Sequence, residues 1–564
     1  MVEQNTHNEL EGLAGNSVDS LLDLGWQYLR KQKPLEATQI AKMLSQQFPD
    51  HAEACFFNGQ VLAQQKQFSA AIACLVNACE LAPHIHQWQF SVLNLLLMTS
   101  QKNRALTVLD TLSGNSNLSA KECNQLGLFY SQLNKPELAV AQYKRAIQLD
   151  PSNNEHHYSL ATVLRHCGEL IQAQASLLTA IQLNGNDIDA HCLLVDLAKQ
   201  TNEMNHISAL QLLLTTSLSP RHEVQVNFAL AKSYEDLAQY STAFKHLAKG
   251  AKIRRQHLEY HVQQDLDVIT HIKTTFNTPW WLAGQIKDKD LRSEPHREFK
   301  QNASTVGEKQ IIPIFILGMP RTGSTLLERV LSAAPNVYAA GELSDFTRLL
   351  TEQTTKQFAG DIKSKRDFIR CSSKIDFEVL GSRYLDALKQ HIPDDKNTPI
   401  VEYVIDKLPF NFLYVGLIKK ALPNARIIHM IRDPMDTCYA VYKTLFQQAY
   451  PFSYDQQELA DYFVAYQDLM AHWQTLPGLS MLNIAYEDLV QTPQSIGKAV
   501  FDFCQIDWQA QYIEVQNNHS AVNTASSSQV RQAIHKSSVA KWRHYETELA
   551  ALKARLISAG ITCD

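Results

Sequence analysis

Alanine recurs at positions 37, 71, 105, 139 and 173, five times at a spacing of 34 residues. Three further registers keep the period: Gly59, Gly127 and Ala161; Ala78, Ala146 and Ala180; and Pro49, Pro83 and Pro151, with Asn117 in the remaining slot. Small residues are needed where the two helices of a hairpin cross closely. Proline belongs just after the second helix, where it ends the helical run. A chain built this way stacks helical hairpins, each burying its apolar face against the next, and leaves a concave groove.

A 34-residue helix-turn-helix period resembles the tetratricopeptide repeat. The clearest unit is 124–151, with Gly-Leu-Phe-Tyr on its first helix and Leu149-Asp150-Pro151 closing its second. The phase drifts after residue 200, where Ala243 falls two residues late. Residues 1–255 therefore read as an all-α tetratricopeptide-repeat solenoid of roughly six units. Its groove suits an extended polypeptide or a protein partner, and a rigid scaffold or the arm of a homodimer is the other use. Residues 256–310 read as a polar transition, with Trp280-Trp281 packed at a domain junction.

Composition narrows the setting. At 564 residues the chain exceeds a single domain. A charged fraction of 19% and a net charge of −5 give no sign of a nucleic-acid surface. No apolar stretch reaches membrane-spanning length, and residues 1–15 lack the apolar core of a secretion signal. Ten cysteines without a C-x-x-C pair read as reduced thiols rather than a disulfide or zinc framework. These features together predict a cytoplasmic protein.

From residue 311 onward short apolar runs alternate with helical stretches, the pattern of a parallel sheet flanked by helices. Candidate strands are 311–317, 400–405, 425–431 and 479–484. Ligands of such sheets collect beyond the strands' carboxyl ends. After the first run comes Gly-Met-Pro-Arg-Thr-Gly-Ser-Thr, residues 318–325, leading into a helix. A strand, a glycine loop and a helix N-terminus make a phosphate cradle. The spacing from Gly318 to Gly323 fits a triphosphate loop, but Ser324 stands where that loop carries lysine. The cation is Arg321, inside the loop. Lys407 follows the second run and Arg432 the third, where Arg432-Asp433-Pro434-Met435-Asp436 opens another helix. Tyr486-Glu487-Asp488 follows the fourth. Three cations at equivalent topological places point to a ligand with several separated negative charges.

The segment from Gly318 to Leu327 resembles the 5′-phosphosulfate loop of sulfotransferases, and that from Ile427 to Asp436 resembles their 3′-phosphate motif. With Lys407 between them, and Ser526-Ser527-Ser528-Gln529-Val530 to Lys541-Trp542 beyond, residues 311–545 are similar to the tyrosylprotein sulfotransferase type. Bacterial proteins join such a domain to tetratricopeptide repeats. The resemblance implies a P-loop-like parallel α/β domain over 311–564. It also implies 3′-phosphoadenylyl sulfate as donor, adenosine 3′,5′-bisphosphate as product, and no metal.

In that family's pattern Thr322, Gly323, Ser324 and Thr325 would hold the 5′-phosphate and Arg432 the 3′-phosphate. Tyr486, Ser526, Ser527, Ser528, Gln529, Val530 and Lys541 would close over the nucleotide. Arg321 and Lys407 would neutralise charge at the transferred group. Glu342 would be the general base, with His429 as the alternative. Ala440 departs from the pattern, because the family has a serine there that contacts the 3′-phosphate; Thr437 and Lys443 are the residues placed to compensate. The resemblance favours a peptide tyrosine as acceptor, with a carbohydrate or small-molecule hydroxyl as the other choices. A repeat scaffold whose nucleotide-binding domain turns over weakly is the alternative reading.

Overall fold

A computed structural model describes residues 17–99, 101–283, 311–392, 400–446, 449–517 and 532–563. Two compact units divide the chain: residues 1–164 with 169–185, and residues 165–168 with 186–564.

In the first unit the repeat is visible as helix starts. The first helices of successive hairpins begin at Val18, Ala52, His86, Ala120 and Asn154, and the second helices at Pro34, Phe68, Lys102, Pro136 and Leu170. Both series step by the same 34 residues. The alanines of the opening register, Ala37, Ala71, Ala105, Ala139 and Ala173, are all fully buried. The glycine register has a steric cause. A β-carbon on Gly59 would stand 2.6 Å from Leu75, and one on Gly127 would stand 2.6 Å from the Tyr143 ring. The inter-helix turns also keep the period, since Gln32, Lys66, Asn134 and Gly168 all have positive φ. A left-handed residue there reverses the chain between helices.

The second unit opens with helices before the sheet begins. Ile188–Leu197 still starts on the 34-residue step, but Ile207–Leu214 is short, and Pro220–Asp236 and Tyr240–Gln256 form a longer pair. These helices group with the sheet in the second unit. Residues 256–283, read as a transition, contain helices Val262–Thr275 and Thr278–Leu282. Trp280 and Trp281 pack there: their indole N–H groups donate to the carbonyls of Ser373 and Pro477 at 3.0 and 2.8 Å. Arg255 forks onto Glu458 with two bonds of 2.7 Å, tying Tyr240–Gln256 to helix Gln456–Gln474.

The sheet has five strands: β1 (Ile312–Gly318), β2 (Val337–Ala339), β3 (Tyr403–Asp406), β4 (Arg426–Ile431) and β5 (Leu482–Ala485). Their spatial order is β2-β3-β1-β4-β5, and every pairing is parallel. Ile314 and Ile316 pack with Leu327, Ile405 and Ile428 on one face, while Phe315 and Leu317 pack with Val404 and Ile427 on the other. Burial on both faces is why these strands read as unbroken apolar runs. Two runs were read too early: β3 starts at Tyr403, which pairs with Ile312 and Val337, and β5 starts at Leu482, which pairs with Ile428. The three-residue β2 at the edge gave too short a pattern to read.

Gly127→Ala is expected to destabilise the first unit by about 1–3 kcal/mol, because the added methyl must displace the Tyr143 ring. Urea unfolding followed by circular dichroism checks this, and an unchanged midpoint would refute it.

Candidate functional site

Because all five strands run the same way, their carboxyl ends share one edge of the sheet. In the spatial order of the strands that edge carries Glu342, Lys407, Arg321, Arg432 and Tyr486, each within three residues of its strand's end. Neighbouring strands lie about 4.8 Å apart, so the ends of β3 and β4 stand roughly 10 Å from each other across β1.

The loop after β1 depends on two glycines. Gly318 has φ +143°, and a β-carbon there would fall 2.4 Å from the Met430 carbonyl oxygen of β4. Gly323 has φ +91°, and a β-carbon there would fall 2.5 Å from the Tyr486 ring. Between them Arg321 takes a left-handed φ of 69°, unusual for a residue with a long side chain. The Thr322 hydroxyl donates to the Met319 carbonyl at 2.8 Å and fixes the turn. Helix Ser324–Leu331 follows, with Ser324 and Thr325 buried in its first turn. The N-terminus of a helix, through its backbone N–H groups and dipole, favours an anion.

Arg432 lies against this loop. It donates to the Arg321 carbonyl at 2.9 Å and the Ser538 carbonyl at 2.5 Å, and its guanidinium sits 4.8 Å from the Tyr486 ring centre. Burial, and then the neighbouring Arg432 charge, push the Arg321 guanidinium down to about 10. Thr437 is buried and its hydroxyl donates to the Arg432 carbonyl at 3.3 Å. Ala440 lies on the same helix, Pro434–Tyr442, and is buried. Lys541 opens the 3-10 turn Lys541–Tyr545 and lies 3.6 Å from Glu235. Residues Ser526, Ser527, Ser528, Gln529 and Val530 lie outside the described residues.

On the other side of the loop, Lys407 Nζ donates to Glu342 Oε1 at 2.5 Å. The Lys407 side chain is 1% exposed and that of Glu342 is 42% exposed, so the pair reaches from the core to the surface. The backbone repeats the link, with Lys407 N–H donating to the Gly341 carbonyl at 2.9 Å. Beneath the pair lies Glu328, buried on the helix after the loop. Burial pushes its carboxyl up to about 7; Lys407 opposes the rise and Glu342 adds to it. The half-buried Tyr450 ring meets Phe410 and Phe446 edge-on at 4.7 and 4.6 Å. Burial, and then the Glu342 charge, raise the Tyr450 hydroxyl.

His429 is a core histidine. One ring nitrogen bonds Asn483 at 2.9 Å, the other bonds the Tyr466 hydroxyl, and burial pushes the ring down to about 4. Sequence reasoning had missed Glu328, Tyr450 and Glu235. Glu328 falls on the buried face of an amphipathic helix, where a carboxylate breaks the apolar pattern; that was its one signal. Among the described residues no group of three or more His, Cys, Asp or Glu side chains is placed to hold a metal ion. No described helix is long and apolar enough to cross a membrane.

Residues 313–510 match the sulfotransferase family profile, and residues 52–85 and 120–153 match tetratricopeptide repeat profiles. An uncharacterized protein of Aquifex aeolicus (strain VF5) is 28% identical over 398 residues, which is 69% of this chain and 48% of the relative. This chain thus spans about half the length of that relative. A putative protein-tyrosine sulfotransferase of Caenorhabditis briggsae is 25% identical over 244 residues, covering 41% of this chain and 80% of its own. Among solved structures, the sulfotransferase domain of the Synechococcus PCC 7002 olefin synthase aligns at 18% identity with a TM-score of 0.30, over 45% of this chain and 98% of that one. The chain therefore carries a sulfotransferase-family domain and tetratricopeptide repeats.

Glu328 gives a stability prediction. Its carboxyl is raised from 4.5 to about 7 in the folded protein, so the fold favours its protonated form. That contribution is full below pH 4.5 and is lost as pH rises through about 7. Glu328→Gln is expected to be more stable than the wild type above pH 7 by roughly 2–3 kcal/mol, with the difference shrinking toward acid. Thermal melts of both proteins from pH 5 to 8 check this; parallel profiles would refute it.

Proposed function

We propose that the protein transfers a sulfuryl group from 3′-phosphoadenylyl sulfate to an acceptor hydroxyl, with a peptide tyrosine as the favoured acceptor. The observation that carries this reading is the Lys407–Glu342 pair at adjacent strand ends, beside a glycine loop whose cation is Arg321. The residues fit the donor. Its phosphosulfate and its separate 3′-phosphate call for cations spaced along the edge, and Lys407, Arg321 and Arg432 supply them over roughly 10 Å. Burial and then the Arg432 charge lower the Arg321 guanidinium, and a bound anion offsets the second of these.

When bound, the donor supplies a sulfuryl group whose bond to the bridging phosphate oxygen breaks as a bond to the acceptor oxygen forms. The chain's own residues handle charge and the proton. Glu342, the exposed member of its pair, takes the proton of the acceptor hydroxyl. Lys407 has three N–H donors and gives one to Glu342, which leaves two for the oxygens that gain charge. Arg321 and the N–H groups of the first turn after the loop hold the 5′-phosphate with Thr322, Gly323, Ser324 and Thr325. Arg432 and Tyr486 hold the far end of the nucleotide.

Tyr450, whose hydroxyl feels the Glu342 charge, packs with Phe410 and Phe446 in an aromatic cluster that offers apolar surface to an aromatic acceptor. Relatives named protein-tyrosine sulfotransferases, and repeats of a kind that bind polypeptides, support the same acceptor.

Glu342→Gln is expected to retain adenosine 3′,5′-bisphosphate binding and to lose transfer by about 10²–10⁴-fold. Transfer of labelled sulfate to a tyrosine peptide, measured beside nucleotide titration, checks this; wild-type turnover in the variant would remove Glu342 as base. In a thermal-shift comparison, adenosine 3′,5′-bisphosphate should stabilise the protein more than ATP with Mg²⁺. Stabilisation by ATP with Mg²⁺ alone would overturn the sulfotransferase reading.

A further inference from the structure

His429 takes no part in the proton transfer assigned to Glu342, yet both of its ring nitrogens have a partner. It lies on β4, paired with Leu317 of β1, the residue before Gly318. Its Cδ2 is 3.5 Å from where a Gly318 β-carbon would stand, so the ring packs against the start of the loop. Nδ1 bonds the carboxamide oxygen of Asn483 on β5 at 2.9 Å. That oxygen can only accept, so Nδ1 carries the ring proton. Burial holds the ring down at about 4, so it is neutral near pH 7 and its Nε2 is an acceptor. Nε2 faces the Tyr466 hydroxyl, and the phenol supplies the proton of that bond.

Tyr466 carries the contact to the loop. It sits on helix Gln456–Gln474, its ring edge-on to Phe412 at 4.9 Å. Burial raises its hydroxyl, and the Met319 backbone N–H opposes the rise by donating to it. The Met319 carbonyl accepts from the Thr322 hydroxyl at 2.8 Å. Both polar groups of the Met319 backbone are thus held, the N–H from the core and the C=O from within the loop. His429, Tyr466, Met319 and Thr322 are all buried, which keeps bulk water from competing for these bonds. The loop needs such a brace. Its backbone passes through positive φ at Gly318, Arg321 and Gly323, a course that local preference does not favour.

We propose that His429 and Tyr466 are positioning residues that set the turn from Met319 to Thr322, and through it the grip of the loop on the 5′-phosphate of the bound nucleotide. This rests on the sulfotransferase reading. Both side chains act through the loop backbone rather than on the ligand. Each bond directs the next: Asn483 fixes the His429 tautomer, the tautomer orients the Tyr466 hydrogen, and the Tyr466 oxygen then meets the Met319 N–H with a lone pair.

The test is calorimetric titration of the full chain with adenosine 3′,5′-bisphosphate and with adenosine 3′-monophosphate, which lacks the 5′-phosphate. The wild type is expected to prefer the bisphosphate. Tyr466→Phe removes one oxygen and keeps the ring; it should reduce that preference by about threefold to tenfold and leave the monophosphate affinity nearly unchanged. His429→Leu should act in the same sense, and Tyr466→Phe decides the matter where His429→Leu fails to fold. His429→Gln, whose amide oxygen can replace Nε2 as acceptor, should keep more of the preference than His429→Leu. The double variant Tyr466→Phe with His429→Leu should be no worse than the weaker single variant, since both break one bond. An unchanged preference in Tyr466→Phe, or an equal loss for both nucleotides, overturns the positioning role. Fully additive losses in the double variant, or a His429→Gln as impaired as His429→Leu, remove His429 from it. A wild type that binds neither nucleotide overturns the sulfotransferase reading itself.

Discussion

The parallel pairing of β1 with both β3 and β4 is the constraint on which the site depends. It aligns the carboxyl ends of the strands, so whatever follows each strand arrives at the same edge. Antiparallel pairing at any one ladder would send one of Lys407, Arg321 or Arg432 to the far edge. The pairing also explains the strand chemistry. Ladders buried on both faces favour apolar side chains, and apart from the paired His429 and Asn483 the polar residues of these strands stand at their ends. The change from apolar to charged along the chain is therefore also the step from core to site.

Close approach is the second requirement. Gly318 lets β1 end against the backbone of β4, and Gly323 lets the loop pass under the Tyr486 ring. With those two positions free of side chains, the loop lies flat enough for Arg432 to reach the Arg321 carbonyl. The result is a dense group of cations held by backbone contacts and by few carboxylates. Such a group stores repulsion that an anion relieves, and this is what a polyanion-binding site requires. The repeat unit uses the same device for a different end. Gly59 and Gly127 let helices cross closely, and the alanines around them let the next hairpin settle.

Much of the fold was legible in the chain because its signals are local or periodic. The 34-residue step follows from helix length plus turn length, so it appears both in the alanine register and in the helix starts. The loop from Gly318 to Thr325 could be read because a strand, a glycine turn and a helix start follow one another without a gap. β2 could not be read, since three edge residues carry too little pattern. The helices from Ile188 to Gln256 continue the helical pattern along the chain, and only the packing groups them with the sheet.

The sequence by itself determined the periodic helical array, the apolar strands and the identity of the charges that follow them, since each is a property of neighbouring residues. Tertiary structure alone decided which charges meet. Lys407 and Glu342 are 65 residues apart, and Lys443 and Glu235 are 208 apart. The first pair meets because β2 and β3 are neighbours in the sheet. The second meets because the end of helix Pro220–Asp236 packs against helix Pro434–Tyr442 and the turn at Lys541. No spacing along the chain encodes either contact. Side chains that far apart are brought within hydrogen-bonding distance only by the packing of whole elements.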